Sequence, residues 1–538
     1  MSNSTIPNSG LKLFLCLLLF VFGGIGKSPA QINSSDGKVE EVTFSIPKTL
    51  YFPGEKIWIE AEVSLGQSPS PSQVLYAELV DAQNNSVDYV KIPLSSGKAL
   101  NFFNIKPSIP SANYLLRVYT RISPYLDLEK GIAQQFITII NPNIPPQNEE
   151  SSPVLPEVRS ERDLSKTASV GNSLPLPSGK IISLGLSIAN PYLIEEQVQL
   201  PATQTYSVLE KQEFYPELFG HIVEVKIPNP DPNSTFFLSV HGKQSALYTD
   251  MPDSEGKLVY DIGGLKNWNR MIIQLENGAE MPGIQVSSPV IKTTFRADFQ
   301  FPRLRISEKD LPMLEKLIKA AQVEAYYKEV YELDSMEIVT GFVADYTYNL
   351  DDYTRFEDVE TVLREYVPSV LVRTRDKRKE FRLLDEAAKR QFDANPLILV
   401  DAMPVFDSDL LASFNPKFMQ KLEVLNREFY LNERTYPGVL SWTSYGNNFG
   451  LFPLAPSARF FDYLGLQPLV EMDRAQFSQP AKGARFPDWR TVLFWQKTPD
   501  GLPETRFSEL EGLFIFWVRT QDESGITHVQ RTYLNIQP

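Results

Sequence analysis

DDYTRFEDVETVLREYVPSVLVR, residues 351–373, is followed by NPLILVDAMPVFDSDLLASFNP, residues 395–416, and by KLEVLNREFYLNERTYPGVLSWTSYGN, residues 421–447. The stretch reads as a helix, a strand, a short helix and two more strands. Thr354 and Glu357 have the spacing of a capping box, and Phe356, Val359, Leu363 and Tyr366 repeat as one apolar helical face. Pro368 ends that helix. Residues 397–400 are an unbroken apolar run, as in a strand covered on both faces, and 422–425 and 439–442 are short β-rich runs between turn residues. Asp407 and Asp409 open a short helix over 410–414, where carboxylates complement the helix dipole. The result is a compact α+β unit.

Its wording resembles the plug domain of TonB-dependent outer-membrane transporters. There a strand ending in a DG-x-P turn leads to an I-e-x-I-e-V-L strand and then to G-V-I-x-I-T-T. The matching residues here are Asp401-Ala402-Met403-Pro404, Lys421-Leu422-Glu423-Val424-Leu425 and Gly438-Val439-Leu440-Ser441-Trp442-Thr443. Ala402 stands where the family has Gly, so a turn that needs positive φ there costs on the order of 1 kcal/mol. Plug domains sit inside a barrel of their own chain. Too few residues follow Gly450 to make one, so the resemblance implies that a barrel, if used, comes from another polypeptide.

Composition bounds the rest. A chain of 538 residues with 42% apolar content is too long for a single core and must be modular. Residues 11–25 are apolar behind Lys12, and Ser28-Pro29-Ala30 precede Gln31. That is the pattern of a cleaved secretory signal over residues 1–30, with the mature chain expected to start at Gln31. The single cysteine, Cys16, falls inside that signal, so the mature chain has no disulfide, Cys metal site or Cys nucleophile. Loss of Lys12 and Lys27 takes the net charge from -14 to -16 (-14 - 2). So acidic a chain is a poor partner for nucleic acid or anionic lipid. No later run is long and apolar enough for a transmembrane helix.

Residues 38–141 carry strand-like runs at 41–46, 56–63, 74–80, 88–92, 101–105, 113–120 and 135–140, separated by turn signals at regular spacing. That is a sandwich pattern. Tyr51-Phe52-Pro53-Gly54-Glu55-Lys56-Ile57-Trp58 and Tyr114-Leu115-Leu116-Arg117-Val118-Tyr119-Thr120 are similar to the second macroglobulin domain, MG2, of α2-macroglobulin-like proteins. The family's Gly-Thr before that second Tyr is Ala112-Asn113 here, and the thioester of its protease-trapping members is absent. Val39 to Phe44 also has the look of a TonB-contacting peptide, although a first sandwich strand reads the same way.

Residues 142–180, rich in Pro, Ser, Glu and Asn, read as a disordered linker. Residues 181–300 read as an immunoglobulin-like β region, with alternation at 181–188, 222–227, 235–240, 257–262 and 270–275. A helical connector spans 301–350: Ser307 and Asp310 cap a helix whose apolar face is Leu311, Leu314, Ile318, Ala321 and Ala325, and which leads into the plug-like unit at 351–450. A terminal β domain covers 451–538. The phrases Phe214-Tyr215-Pro216-Glu217-Leu218-Phe219-Gly220-His221 and Phe486-Pro487-Asp488-Trp489 resemble large secreted proteins of the Bacteroidota that also join a macroglobulin domain to a plug-like domain. The fold class is mainly β and multidomain, with macroglobulin- and immunoglobulin-like sandwiches, an α+β plug-like unit and a terminal β unit.

No catalytic constellation emerges. His221, His241 and His528 lie in separate strands without metal-site spacing, and no nucleophile elbow, P-loop or dinucleotide fingerprint occurs. Asp407-Ser408-Asp409 could hold a hard cation, but two carboxylates opening a helix are also what helix-dipole stabilisation selects. Asp401 ends a buried-type strand, where a carboxylate satisfies the backbone of the next turn. The reading is therefore a non-enzymatic envelope protein of the periplasm or outer-membrane surface, without cofactor or metal. It is expected to bind an outer-membrane partner, with a β-barrel as the first candidate, through the plug-like unit. The alternative is a cell-surface adhesin or glycan-binding array using sandwich loops. For the plug-like unit, residues 427–437 are expected to form an exposed contact loop. Arg434 and Tyr436 are its partner-binding side chains, joined by Phe429 and Tyr430 unless those two fold back as core.

Overall fold

The computed structural model describes residues 39–146, 159–324, 331–332, 341–472, 487–497, 502, 505–522 and 527–538, apart from short breaks inside those ranges. The expected cleavage point at Gln31, Cys16 and the Pro- and Glu-rich residues 147–158 lie outside them.

The first sandwich forms from the β-rich runs that its turn signals bound. One sheet is built on Lys56–Leu65, flanked by Glu40–Ser45 and Lys98–Asn104. The other runs Leu50–Tyr51, Ala133–Ile139, Ala112–Thr120, Val74–Val80, Ser86–Pro93. Every second residue points inward, so Val42, Phe44, Ile57 and Ile59 meet Leu75, Ala77, Leu116 and Val118 in one core. The run from Val39 is thus a sandwich strand. Val74–Val80 is buried along its whole length because its other face is also covered, by Ala202, Tyr206 and Ile291. Within that second layer the Glu78 carboxylate is held by Arg117 at 2.7 and 2.9 Å and by the Tyr119 hydroxyl at 2.6 Å.

The second β region has one sheet ordered Lys257–Asp261, Ile222–Lys226, Gln285–Val286, and another ordered Ala246–Asp250, Phe236–Gly242, Trp268–Leu275, Arg459–Asp462. The last of these strands arrives from beyond the α+β unit. Lys180–Ile188, expected to open this region, instead pairs with Gly512–Gln521 and Val492–Lys497. Arg162–Ser165, expected as linker, runs parallel to Thr527–Gln537. Alternation identifies a strand without naming its neighbour, and Arg162-Asp163-Leu164-Ser165 offers only Leu164 to the core.

The connector helix, Leu311–Glu324, follows a 3-10 turn in which the Asp310 carboxylate accepts the Ser307 N–H at 2.8 Å. Its buried residues are Leu314, Leu317 and Ala320, packed on Leu184, Phe494 and Phe516, while Leu311 is half exposed. The helix therefore lies on the C-terminal sheet by a face that keeps Leu314, Ile318 and Ala321 of the expected set and adds Leu317 and Ala320; Ala325 lies outside the described residues.

The α+β unit comprises β1 (Tyr346–Asn349), α1 (Val359–Tyr366), β2 (Val370–Arg375), β3 (Arg378–Asp385), β4 (Arg390–Gln391), β5 (Leu397–Val400), β6 (Met403–Pro404), α2 (Ser408–Ser413), β7 (Met419–Leu425), β8 (Phe429–Leu431), β9 (Arg434–Tyr436) and β10 (Val439–Ser444). Its main sheet is ordered β1-β7-β10-β5-β6, with β5 and β10 parallel. Ile398 and Val400 of β5 pack under Val359, Val362, Leu363 and Leu411 of the helices, while Leu397 and Leu399 face a second cluster with Leu425 and Val439. The strand is covered on both faces, as its unbroken apolar run requires. The helix start is corrected: Asp358, not Thr354, caps α1 by accepting the Thr361 N–H at 2.7 Å. Thr354 instead offers its carbonyl to the Tyr366 hydroxyl. The β2–β3 hairpin turns at Asp376-Lys377, both at positive φ. Its charged sequence hides the strand period that Val370, Phe381 and Leu383 carry into the core.

Candidate partner-binding site

At one end of the α+β sheet, three loops bring exposed apolar side chains together. Leu451 is 75% exposed, Tyr445 51%, Phe418 43% and Tyr353 36%. Arg355 ties the loops: its guanidinium donates to the carbonyls of Pro416 and Met419 at 3.1 and 2.9 Å, to Asp351 at 2.5 Å and to the Tyr445 hydroxyl at 2.6 Å. The Tyr445 N–H donates to the Phe418 carbonyl at 3.3 Å. The Tyr445 hydroxyl and the Arg355 guanidinium both donate to Asp351 and hold its carboxyl below the usual range.

The loop geometry is held from inside. Asp401 is 3% exposed, and its carboxylate accepts the Ser444 N–H at 2.7 Å, the Ser444 hydroxyl at 2.6 Å and the Phe449 N–H at 2.7 Å. The expectation of a carboxylate serving the turn that follows Asp401 in sequence is corrected: it satisfies the turn after β10. Phe449, whose N–H the Asp401 carboxylate holds, and the next two residues, Gly450 and Leu451, are at φ of 69, 54 and 69°. For Phe and Leu this conformation costs on the order of 1–2 kcal/mol each, so the fold is holding Leu451 outward against a local preference. Ala402 sits at φ 65°, the strained position that the missing Gly implied. The same loop rests on the second β region: His241 lies edge-on to the Phe449 ring at 4.7 Å, and Asn447 accepts from Ser245 at 2.8 Å and donates to the Gly242 carbonyl at 3.0 Å.

The residues singled out from sequence lie elsewhere and behave differently. Residues 429–431 and 434–436 pair as the β8–β9 hairpin and do not form an open loop. Arg434 donates to Thr235 at 3.0 Å and pairs with Glu276 at 2.8 Å, both in the second β region. Asn432 adds two bonds to Thr249 at 2.7 Å. Tyr436 is half-buried, and burial pushes its hydroxyl up to about 12. Phe429 packs against Phe342 at 5.9 Å, so it folds back as core. Tyr430 alone projects, 66% exposed, with its hydroxyl on Glu428. Sequence could not tell these aromatics apart, because period-2 alternation in a three-residue strand sets a face but not what that face meets. The Phe418, Tyr445 and Leu451 set left no sequence pattern, since its members come from two loops separated by the β7–β10 segment.

The other candidates have structural duties. Asp407 caps α2 by accepting from the Asp409 and Leu410 N–H groups at 3.0 and 3.1 Å, and Asp409 accepts the Lys379 N–H at 2.6 Å. His221 is fully buried between Glu217 and the Tyr463 hydroxyl, each at 2.7 Å. Burial and the nearby Lys91 charge lower it to about 4. A neutral ring donating to Glu217 and accepting from Tyr463 satisfies both contacts. His241 is lowered to about 3 by burial and by Arg270. His528 is exposed beside Asp522 at 2.9 Å.

No family model matches the chain, and no curated protein matches it. Among solved structures it is similar to an Escherichia coli α2-macroglobulin activated by porcine elastase, at 10% identity and TM-score 0.20, over 92% of this chain and 44% of that one. It is similar to a Salmonella α2-macroglobulin reacted with methylamine at 9% identity and TM-score 0.19, over 92% and 39%. A tetra-tandem repeat from the extending region of a large adhesion protein aligns at 8% identity and TM-score 0.14, over 93% and 74%. The chain spans less than half the length of those α2-macroglobulins. The class is a mainly β chain of several sheets with one α+β unit, and its functional reading rests on its own geometry.

Proposed function

We propose that this chain is an exported, non-enzymatic envelope protein that binds or scaffolds a partner through the loop end of its plug-like α+β unit. The expected partner is an outer-membrane protein, with a β-barrel as the first candidate. The observation that carries the reading is Leu451, three-quarters exposed at positive φ two residues after Phe449, whose N–H a buried carboxylate holds, on the same loop end as exposed Phe418 and Tyr445. Apolar and aromatic side chains on a rigid frame lose little entropy on contact, which is the usual makeup of a binding hot spot. Replacing Phe418 and Leu451 together with Ser removes the apolar surface and keeps the fold. Affinity for the purified outer-membrane partner should fall by at least tenfold while the melting temperature stays within about two degrees. Unchanged affinity in that variant would refute the reading.

A second reading keeps one supporting observation. Thr203, Gln204, Arg296, Asp298 and Phe299 line a polar cleft beside the first sandwich, a donor, acceptor and aromatic set suited to a glycan. Binding of a polysaccharide that is lost in Phe299→Ala but kept in the Phe418/Leu451 variant would favour the adhesin-like function.

A further inference from the structure

The α+β sheet ends differently on its two sides. At one side, β6 is two buried residues closed by Pro404, a short and protected edge. At the other, β1 pairs with β7 without a register shift and carries no strand on its outer side among the described residues. Tyr346, Thr347 and Asn349 are exposed there, so nothing described covers the edge. Tyr346-Thr347-Tyr348-Asn349 also lacks the Lys, Pro or bulge with which soluble proteins blunt such an edge. Its far end runs directly into Asp351, Tyr353 and Arg355 of the loop cluster, so the edge is continuous with the surface described above.

The charges around it are unbalanced in one direction. Asp345, Asp351 and Glu423 are neutralised by Arg427, Arg355 and Lys421. Glu386, which accepts the Tyr346 hydroxyl at 2.8 Å, and Asp352, just past Asn349, have no ion-pair partner among the described residues. Among the described residues, one carboxylate without an ion-pair partner thus stands near each end of the strand.

We propose that the outer edge of Tyr346–Asn349 accepts an extended cationic segment of the partner chain as an added β-strand. Main-chain hydrogen bonds to the unpaired edge hold the segment, and a Lys or Arg near each of its ends meets Glu386 and Asp352. The inference rests on the α+β unit being the binding module and names the kind of partner segment it takes.

The test uses the full chain and three synthetic hexapeptides: acetyl-KTVTVK-amide, its Glu-ended form ETVTVE, and KTVTVK with both Val nitrogens methylated. Binding is read by fluorescence anisotropy, and hydrogen exchange of residues 345–349 locates it. The expected result is exchange protection of 345–349 by KTVTVK, with affinity at least tenfold weaker for ETVTVE and no binding of the methylated peptide. Glu386→Gln with Asp352→Asn should reduce the gap between the first two peptides, and Thr347→Lys should abolish binding while the chain stays folded. Absence of protection at saturating KTVTVK, or equal binding of the methylated peptide, overturns strand addition. Protection of 345–349 that grows with protein concentration alone would assign the edge to a second copy and overturn it as well. The Phe418/Leu451 double variant separates the two ideas. If it loses the natural partner while KTVTVK never binds, only strand addition falls; if it keeps the partner, the reading of the α+β unit falls first.

Discussion

Two surfaces of the α+β unit carry aromatic residues next to an arginine, and they do opposite things. In the β8–β9 hairpin, Arg434 and Tyr436 turn toward the second β region and join Thr235, Glu276 and the cluster around Leu425 and Val439. In the loop end, Arg355 spends its donors on carbonyls of its own unit and leaves Tyr445, Phe418 and Leu451 facing out. The difference teaches that an Arg-aromatic pair marks a contact without saying with what. Here one contact is internal to the chain, and the other surface stays exposed, which is where the proposed function places a partner.

The largest effect should come from the root of the hairpin. Gly438 is at φ 91°, and a Cβ there would stand 2.3 Å from the Leu425 carbonyl and 2.4 Å from a Leu383 methyl. Gly438→Val therefore adds backbone strain to a steric clash and should destabilise by about 3 kcal/mol or more, read by chemical denaturation. A variant as stable as the parent would mean that the hairpin is not anchored as described.

Acid should act on the footing of the loop end. His241 beneath Phe449 is lowered to about 3 from 6.5, so between those values the unfolded chain binds the extra proton. The stabilisation from its neutral burial is fully present above pH 6.5 and is lost as the pH falls. By two pH units below 6.5 the loss should reach about 2–3 kcal/mol relative to His241→Gln. Equal acid sensitivity in parent and variant would remove His241 from the account. His221, lowered to about 4, works in the same direction in both proteins, while burial raises Glu196 to about 8 and gives an opposite slope that also cancels in the comparison.

Arg434→Ala should cost less, about 0.5–1 kcal/mol, because the Arg434–Glu276 pair is partly exposed. Added salt should shrink that difference. A full-sized difference at high salt would point to the packing of the Arg434 stem instead of its charge.

The strands of the first sandwich are legible because turn residues at regular spacing bound each β-rich run. The α+β unit was legible in its apolar strands and in the Asp407 cap. What stayed hidden was pairing over long sequence distance. Lys180–Ile188 finds its neighbours at 492–521, and Arg459–Asp462 closes a sheet begun before residue 280. Local alternation fixes a strand's faces and carries no information about which distant edge it meets. The candidate site was hidden for the same reason. Tyr353, Phe418, Tyr445 and Leu451 sit on loops that only the folded sheet brings together, whereas Phe429, Tyr430, Arg434 and Tyr436 are adjacent in sequence and drew the eye.

The most direct measurement places one photo-crosslinking residue at Leu451 and, separately, at Tyr430, the exposed residue of the hairpin, and follows covalent capture of the purified partner. The account predicts strong capture from position 451 and little from 430, with Phe418→Ser lowering the first. Capture from 430 alone would contradict it, and would return the contact to the hairpin.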